Sequence, residues 1–383
     1  MPTFAMKVYD LQWFTTFGMD YDQAAEALVE DGIDVVLTQN HIDPLPTSGV
    51  DQHEYLTRFH DRIRAYDDGA WVGALKRHGL IVLETSAVLF DPPALSRFPD
   101  ARPVDAAGEP HVGFDWYVGV CPTHDEYLDE KVAKLTRVVD ELSPDGLFLQ
   151  FIRYPGFWEN WTWSPDYQFS DSDRYCFCGR CRSRFAAALG IPMPTGDAAS
   201  QTSFILAQHG ADWTNWRCGV IADIVRRVRE IGAPNSDGAH LMLNTLPFPA
   251  TDFGGQDVRR VIAAQDLRLL APYTNRFELM TYLQILNRPQ SWLRTAIDDA
   301  RAQIRDTGSE VVCTLQVDAL YTTGIHRDRQ RSPSVTADEI FDAATTALDA
   351  GADGLVFYHW TDFLTDEAAG GRKRKALRSI TRA

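Results

Sequence analysis

Short apolar runs alternate with amphipathic segments along the whole chain, with no low-complexity linker between them, and this rhythm constrains the fold more than any single motif. Read as strands, the runs are Lys7–Trp13, Val35–Gln39, Leu80–Ser86, Leu147–Ile152, Leu241–Thr245, Phe277–Tyr282, Glu310–Val317 and Gly354–Tyr358. The segments between them carry helical spacing at Tyr21–Asp31, Glu54–Arg64, Tyr127–Leu142, Arg182–Ala188, Trp213–Ile231, Val258–Ala264, Ser291–Arg305 and Ala337–Ala350. Eight strands with intervening helices predict one α/β domain over residues 1–383, a (β/α)8 TIM barrel with enlarged loops at about 87–120 and 155–212. A doubly wound open sheet is the alternative. No G-x-G-x-x-G follows the first strand and no G-x-x-x-x-G-K-[ST] occurs, so neither dinucleotide nor P-loop chemistry is supported.

The charge balance, 37 basic against 53 acidic residues, gives a net charge of −16 and excludes an extended nucleic-acid surface. The basic run Arg372–Lys375 lies on a final amphipathic helix and reads as a solvated face. No apolar window is long enough for a membrane span, and the amino terminus lacks a signal-peptide pattern. The expectation is a cytoplasmic protein, with a homo-oligomer open.

Cysteine placement carries the clearest local signal. Cys176, Cys178 and Cys181 form a C-x-C-x2-C run, the spacing of a structural zinc site. The natural fourth ligand is Cys121, which precedes the helix leading into the fourth strand; His124, Asp171 and Asp173 are alternatives, and plain buried thiols are the simpler account. Four thiolates leave no open coordination position, so such a zinc would staple loops. Cys218 and Cys313 read as small core residues.

The run Cys121-Pro-Thr-His-Asp-Glu-Tyr, the stretch Asp145-Gly-Leu-Phe-Leu-Gln-Phe-Ile-Arg-Tyr-Pro155 and Cys176-Phe-Cys-Gly-Arg-Cys-Arg-Ser-Arg-Phe185 resemble the hypothetical glycoside-hydrolase-like TIM-barrel families. They are also similar to family 42 β-galactosidases, whose barrel holds a structural zinc through an upstream Cys and a C-x-C-x2-C run. The resemblance covers residues 80 to 186 and implies a carbohydrate-active barrel. The Asn-Glu pair that family 42 enzymes carry at the end of strand four has no counterpart here. Gln150 stands where many hydrolase-like sequences have Asp, and an amide cannot act as nucleophile or general acid.

Glycoside hydrolysis needs two carboxyl groups, so the acids near strand carboxyl ends are the catalytic candidates. Asp318, nearest the rim, and Glu84 form the expected pair, with Asp318 as nucleophile or base. Asp10, Asp362 and Glu278 are further acids, each equally readable as a salt-bridge partner, and Asp145 reads as a turn residue at the opposite end. A substrate site would draw on Asp10, Asn40, His41, Gln150, Arg153, Tyr154, Trp158, Asn244, Tyr282, Gln316, His359 and Trp360. Trp158, Trp161 and Trp163 offer faces on which a sugar ring could stack, loop packing being the alternative. The expected function is glycoside hydrolysis on a small carbohydrate, with no organic cofactor. The rivals are a sugar or sugar-acid isomerase or lyase in which Arg153 grips a carboxylate, and a non-catalytic sugar-binding barrel.

Overall fold

A computed structural model describes residues 1–46, 58–114, 116–162, 167–232, 240–327 and 330–382. Eight parallel strands close into a barrel in sequence order: β1 (Thr3–Val8), β2 (Val35–Thr38), β3 (Ile81–Ala87), β4 (Gly146–Gln150), β5 (His240–Thr245), β6 (Arg276–Leu279), β7 (Glu310–Gln316) and β8 (Gly354–Tyr358). The helices of nine residues or more are α1 (Tyr21–Glu30), α2 (Asp68–Arg77), α3 (Asp125–Leu142), α4 (Gly179–Leu189), α5 (Ala198–Gly232), α6 (Trp292–Gln303), α7 (Ala337–Asp349), α8 (Trp360–Ala368) and α9 (Lys373–Thr381). This is the (β/α)8 arrangement expected from the alternation, and the open sheet is ruled out by the β1–β8 pairing.

Two layers of apolar side chains explain why the strands read as continuous apolar runs. Ala5, Val35, Leu37, Leu83, Phe148, Met242, Val312 and Val356 fill the barrel, while their neighbours pack outward against the helices in a larger core. Polar residues at the amino ends of the strands tie them in pairs. Asp34, Asp145, Asn275 and Asp353, each immediately before an even-numbered strand, accept the N–H of Phe4, Val82, Leu241 and Val311 on the preceding strand at 2.8, 2.9, 2.8 and 2.9 Å. Asp145 is therefore a rim pin at the end opposite the strand carboxyl termini, as the sequence suggests. A glycine follows two of these pins because a Cβ at Gly146 or Gly354 would collide with the carbonyl of His240 or Thr3 on the adjacent strand.

Several boundaries differ from the sequence expectation. The first strand stops at Val8 because Asp10 turns the chain, its Oδ1 accepting the Gln12 N–H at 2.8 Å and the Thr361 hydroxyl at 2.7 Å. The fourth strand ends at Gln150, where Phe151 adopts a positive φ of 51°, and the sixth ends at Leu279. The helix expected at Trp213–Ile231 starts earlier, as part of α5, which is interrupted at His209. The helix expected at Glu54–Arg64 lies partly outside the described residues, its described part being His60–Arg64. The basic run at Arg372–Lys375 is not a solvated face throughout: Arg374 is buried, with Nε 2.9 Å from each Asp31 carboxylate oxygen.

Candidate active site and cysteine cluster

Inside the barrel, β1 and β6 place opposite charges face to face. Lys7 Nζ lies 2.6 Å from Glu278 Oε1 and donates to Tyr282 Oη at 3.2 Å, with both charged side chains buried. Glu278 Oε2 accepts from Asn244 Nδ2 at 2.6 Å, and Thr314 Oγ1 donates to Oε1. Rings of Phe148, Tyr358, Tyr282 and Tyr9 surround the ammonium at 5.3 to 5.9 Å. Burial lowers the Lys7 pKa, and Glu278 opposes that shift. With both carboxylate oxygens engaged, Glu278 and Asn244 form a polar plug beneath the mouth, and Tyr282 caps it.

Above the plug, Gln150 Nε2 donates to Tyr9 Oη at 2.6 Å, and acids gather where β8 ends. His359 Nδ1 lies 3.7 Å from Asp10 Oδ2, and its Nε2 lies 3.6 Å from Asp362 Oδ1. Burial raises the Asp362 pKa, His359 opposes the rise, and the charges of Asp318 and Asp10 add to it. Burial and the charges of Asp362, Asp10 and Glu159 push the Tyr358 phenol up to about 12. Glu159, in the 3-10 turn Trp158–Asn160 after β4, also acts electrostatically on Tyr282 and Tyr117. Tyr358 thus stands within the fields of Asp10 and Asp362 from one set of loops and of Glu159 from another. Sequence reasoning missed Glu159; the signal was an acid embedded in the aromatic loop that follows strand four.

The expected pair of acids is not brought together. Glu84 alternates with Leu83, which fills the barrel, so its side chain points outward toward the helices. There Asn40 Nδ2 donates to Glu84 Oε2 at 2.8 Å, and burial pushes the Glu84 carboxyl up to about 7, against that hydrogen bond and with help from Asp68. Asp318 is exposed beyond β7, with Lys373 Nζ 3.2 Å from its Oδ1. Its neighbour Gln316 is tied down by bonds to Gln284 Oε1 at 2.7 Å and the Asp318 carbonyl at 2.6 Å.

Other expected substrate contacts are spent on packing. Asn40 accepts the N–H groups of Ile42 and Asp43 at 3.0 and 2.8 Å, and His41 is exposed beside Asp68 at 2.9 Å. Tyr154 is fully buried beneath Arg217, whose guanidinium lies 4.3 Å from its ring centre. Trp360 is likewise fully buried, with its ring 6.4 Å from that of Trp13. Trp158 and Trp161 are buried in a cluster with Phe248 and Tyr282, and Trp163 lies outside the described residues. Arg153 is buried over Phe151 and Tyr117, with its Nε and Nη1 unpartnered and no carboxylate beside it among the described residues. Trp116 and Tyr321 provide partly buried faces, linked by an indole-to-hydroxyl bond of 3.1 Å, that the sequence did not single out.

The cysteine expectation concerns a second, separate locus. Sγ atoms of Cys121, Cys176, Cys178 and Cys181 all lie within 4.8 Å of one another, with Cys121 to Cys181 at 3.6 Å and Cys121 to Cys178 at 3.8 Å. Tetrahedral thiolates about 2.3 Å from a zinc would be spaced about 3.8 Å apart, so the set fits a metal of that kind. Two of the alternative ligands are occupied elsewhere: His124 Nδ1 accepts from Tyr127 N–H at 3.2 Å at the start of α3, and Asp173 Oδ1 accepts from Tyr167 Oη at 2.8 Å. Cys178 immediately precedes α4, whose amino end favours thiolate charge. Cys218 and Cys313 are buried core thiols.

Comparison with solved structures finds the same barrel fold at low sequence identity. The glycoside hydrolase domain of PgaB (BpsB) from Bordetella bronchiseptica aligns with a TM-score of 0.66 and 14% identity, covering 100% of this chain and 99% of that one. A β-galactosidase from the Antarctic haloarchaeon Halorubrum lacusprofundi aligns at 0.65 and 13%, covering 99% of this chain but 57% of that one. Gan42B, a GH42 β-galactosidase, aligns at 0.60 and 13%, with the same coverages of 99% and 57%. No protein-family model and no curated protein sequence matches the chain.

Proposed function

We propose that this chain hydrolyses a glycosidic bond of a small carbohydrate at the mouth of its barrel, with Asp362 and Glu159 as the reacting carboxyl groups. One observation carries the reading: Asp10 and Asp362 gather around His359 where β8 ends, above a barrel whose interior is sealed by the Lys7–Glu278 pair, with Glu159 in the loop after β4. Asp362, with its raised pKa, keeps its proton to higher pH than an ordinary carboxyl, as a general acid for the leaving oxygen requires. Glu159, arriving from the loop after β4, supplies the second carboxylate, as nucleophile or as base toward water. His359, which lies between Asp10 and Asp362, positions Asp362, while Trp116 and Tyr321 offer faces for a sugar ring. Glu84, on the outer side of β3, is assigned a structural role, and Asp318 a peripheral one at the rim.

A zinc ion held by Cys121, Cys176, Cys178 and Cys181 is part of the same proposal. It would have no open position and would serve to join the loop after β3 to the loop after β4.

The test is turnover of a panel of aryl glycosides and oligosaccharides by wild type and by Asp362→Asn, Glu159→Gln and Glu84→Gln variants of confirmed fold. Asp362→Asn and Glu159→Gln should each lower kcat by about 10²- to 10⁴-fold, with Glu84→Gln close to wild type. Activity that survives both mouth substitutions and is lost in Glu84→Gln would reverse the assignment.

A further inference from the structure

Beside the cysteine cluster, away from the barrel mouth, lies a cavity of about 290 Å³ whose lining includes Arg174, Phe177, Trp213, Thr214, Arg217 and Val261. Its polar lining consists mainly of donors. Arg217, only 2% exposed, spends Nη1 on the Val261 carbonyl at 3.0 Å and Nη2 on the Ile262 carbonyl at 2.5 Å, leaving its buried Nε without a partner. Trp213, also 2% exposed, has an unpartnered Nε1, and Arg174 has an unpartnered, buried Nε. Thr214 turns its hydroxyl onto the Gly210 carbonyl at 3.0 Å.

Among the described residues no carboxylate pairs with Arg174 or Arg217. A guanidinium cannot shed its proton, so a buried one without a counter-charge is costly. Burial is the largest influence on the Arg217 charge and disfavours it, and its Nε has no partner. Three orphaned N–H groups on two cations and an indole around one cavity suit an acceptor-rich, negatively charged guest.

We propose that this cavity binds a small oxyanion, a carboxylate or phosphate, held by Arg217 Nε, Arg174 Nε and Trp213 Nε1. The site is independent of the carbohydrate reading, because none of these residues belongs to the mouth. Binding here would tie α5 to the segment just before the cysteine run.

Titration of the full-length, metal-loaded protein with phosphate and with acetate, each at constant ionic strength against chloride, tests this by calorimetry and by the shift in Tm. Saturable binding of either ion is expected, and the tighter of the two identifies the guest's chemistry. Arg174→Gln and Trp213→Phe, which leave Arg217 and its carbonyl contacts intact, should each weaken binding about tenfold. Absence of saturable binding up to tens of millimolar, or equal affinity in wild type and both variants, would overturn the proposal and leave water as the cavity's occupant.

Discussion

Two buried carboxyl groups differ in their partners. Glu278 meets a cation and two further donors, whereas Glu84 has one amide donor and an Oε1 with no partner. Removing one member of the Lys7–Glu278 pair strands the other in the barrel, so Lys7→Met should cost about 3–5 kcal/mol in urea unfolding, and the double variant Lys7→Met/Glu278→Leu should recover part of that loss. Glu84 gives a pH signature. Its folded pKa, about 7, lies above its ordinary 4.5, so the native state holds the proton more tightly, and stability falls as pH rises between those values. Glu84→Gln removes that penalty. Its stability relative to wild type should rise by about 2–3 kcal/mol between pH 5 and pH 8, measured by urea unfolding at each pH. The sequence identified Glu84 as a costly carboxyl in an apolar run, but not the side of the strand it faces. A strand buried on both faces shows no alternation, so periodicity gives no phase, and only the closed barrel assigns Leu83 inward and Glu84 outward. Glu159 was illegible for a different reason: its position depends on a loop path that no periodicity describes.

At the scale of elements, the pins before β2, β4, β6 and β8 divide the barrel into four strand pairs, each closed at its amino end by one side chain. Asp145→Ala should cost about 1–3 kcal/mol, because it leaves the Val82 N–H without its acceptor and removes the ion pair with Lys76 at 3.0 Å. The cysteine cluster lies at the other end, where the proposed metal would staple the long loops. Metal analysis should find one zinc per chain, and chelation or Cys121→Ser should open the segments around 99–121 and 171–182 to limited proteolysis while the barrel's far-UV circular dichroism persists. These elements were readable in different degrees. The cysteine spacing, the Asp-Gly openings of β4 and β8 and the helix periodicities leave direct marks in the residues. The end of β1 does not, since Tyr9, Leu11 and Trp13 continue an apolar alternation that Asp10 terminates through a contact with distant Thr361.

For the whole molecule, the polar plug fills the barrel interior, and the proposed site lies in the loops at the carboxyl ends of the strands, where barrels of this kind carry their active sites. Among the described residues no helix is long and apolar enough to cross a membrane. Leaving-group dependence tests the proposed protonation of a glycosidic leaving oxygen by Asp362. An acid catalyst matters most for poor leaving groups, which need the proton, and least for activated phenols, which leave without it. Comparison of kcat/KM for Asp362→Asn and wild type across aryl glycosides of graded phenol pKa should show a small loss with the most acidic phenols and a loss of about 10²-fold or more with the least acidic. A uniform loss across the series, or none, would contradict the assignment of Asp362 as the acid.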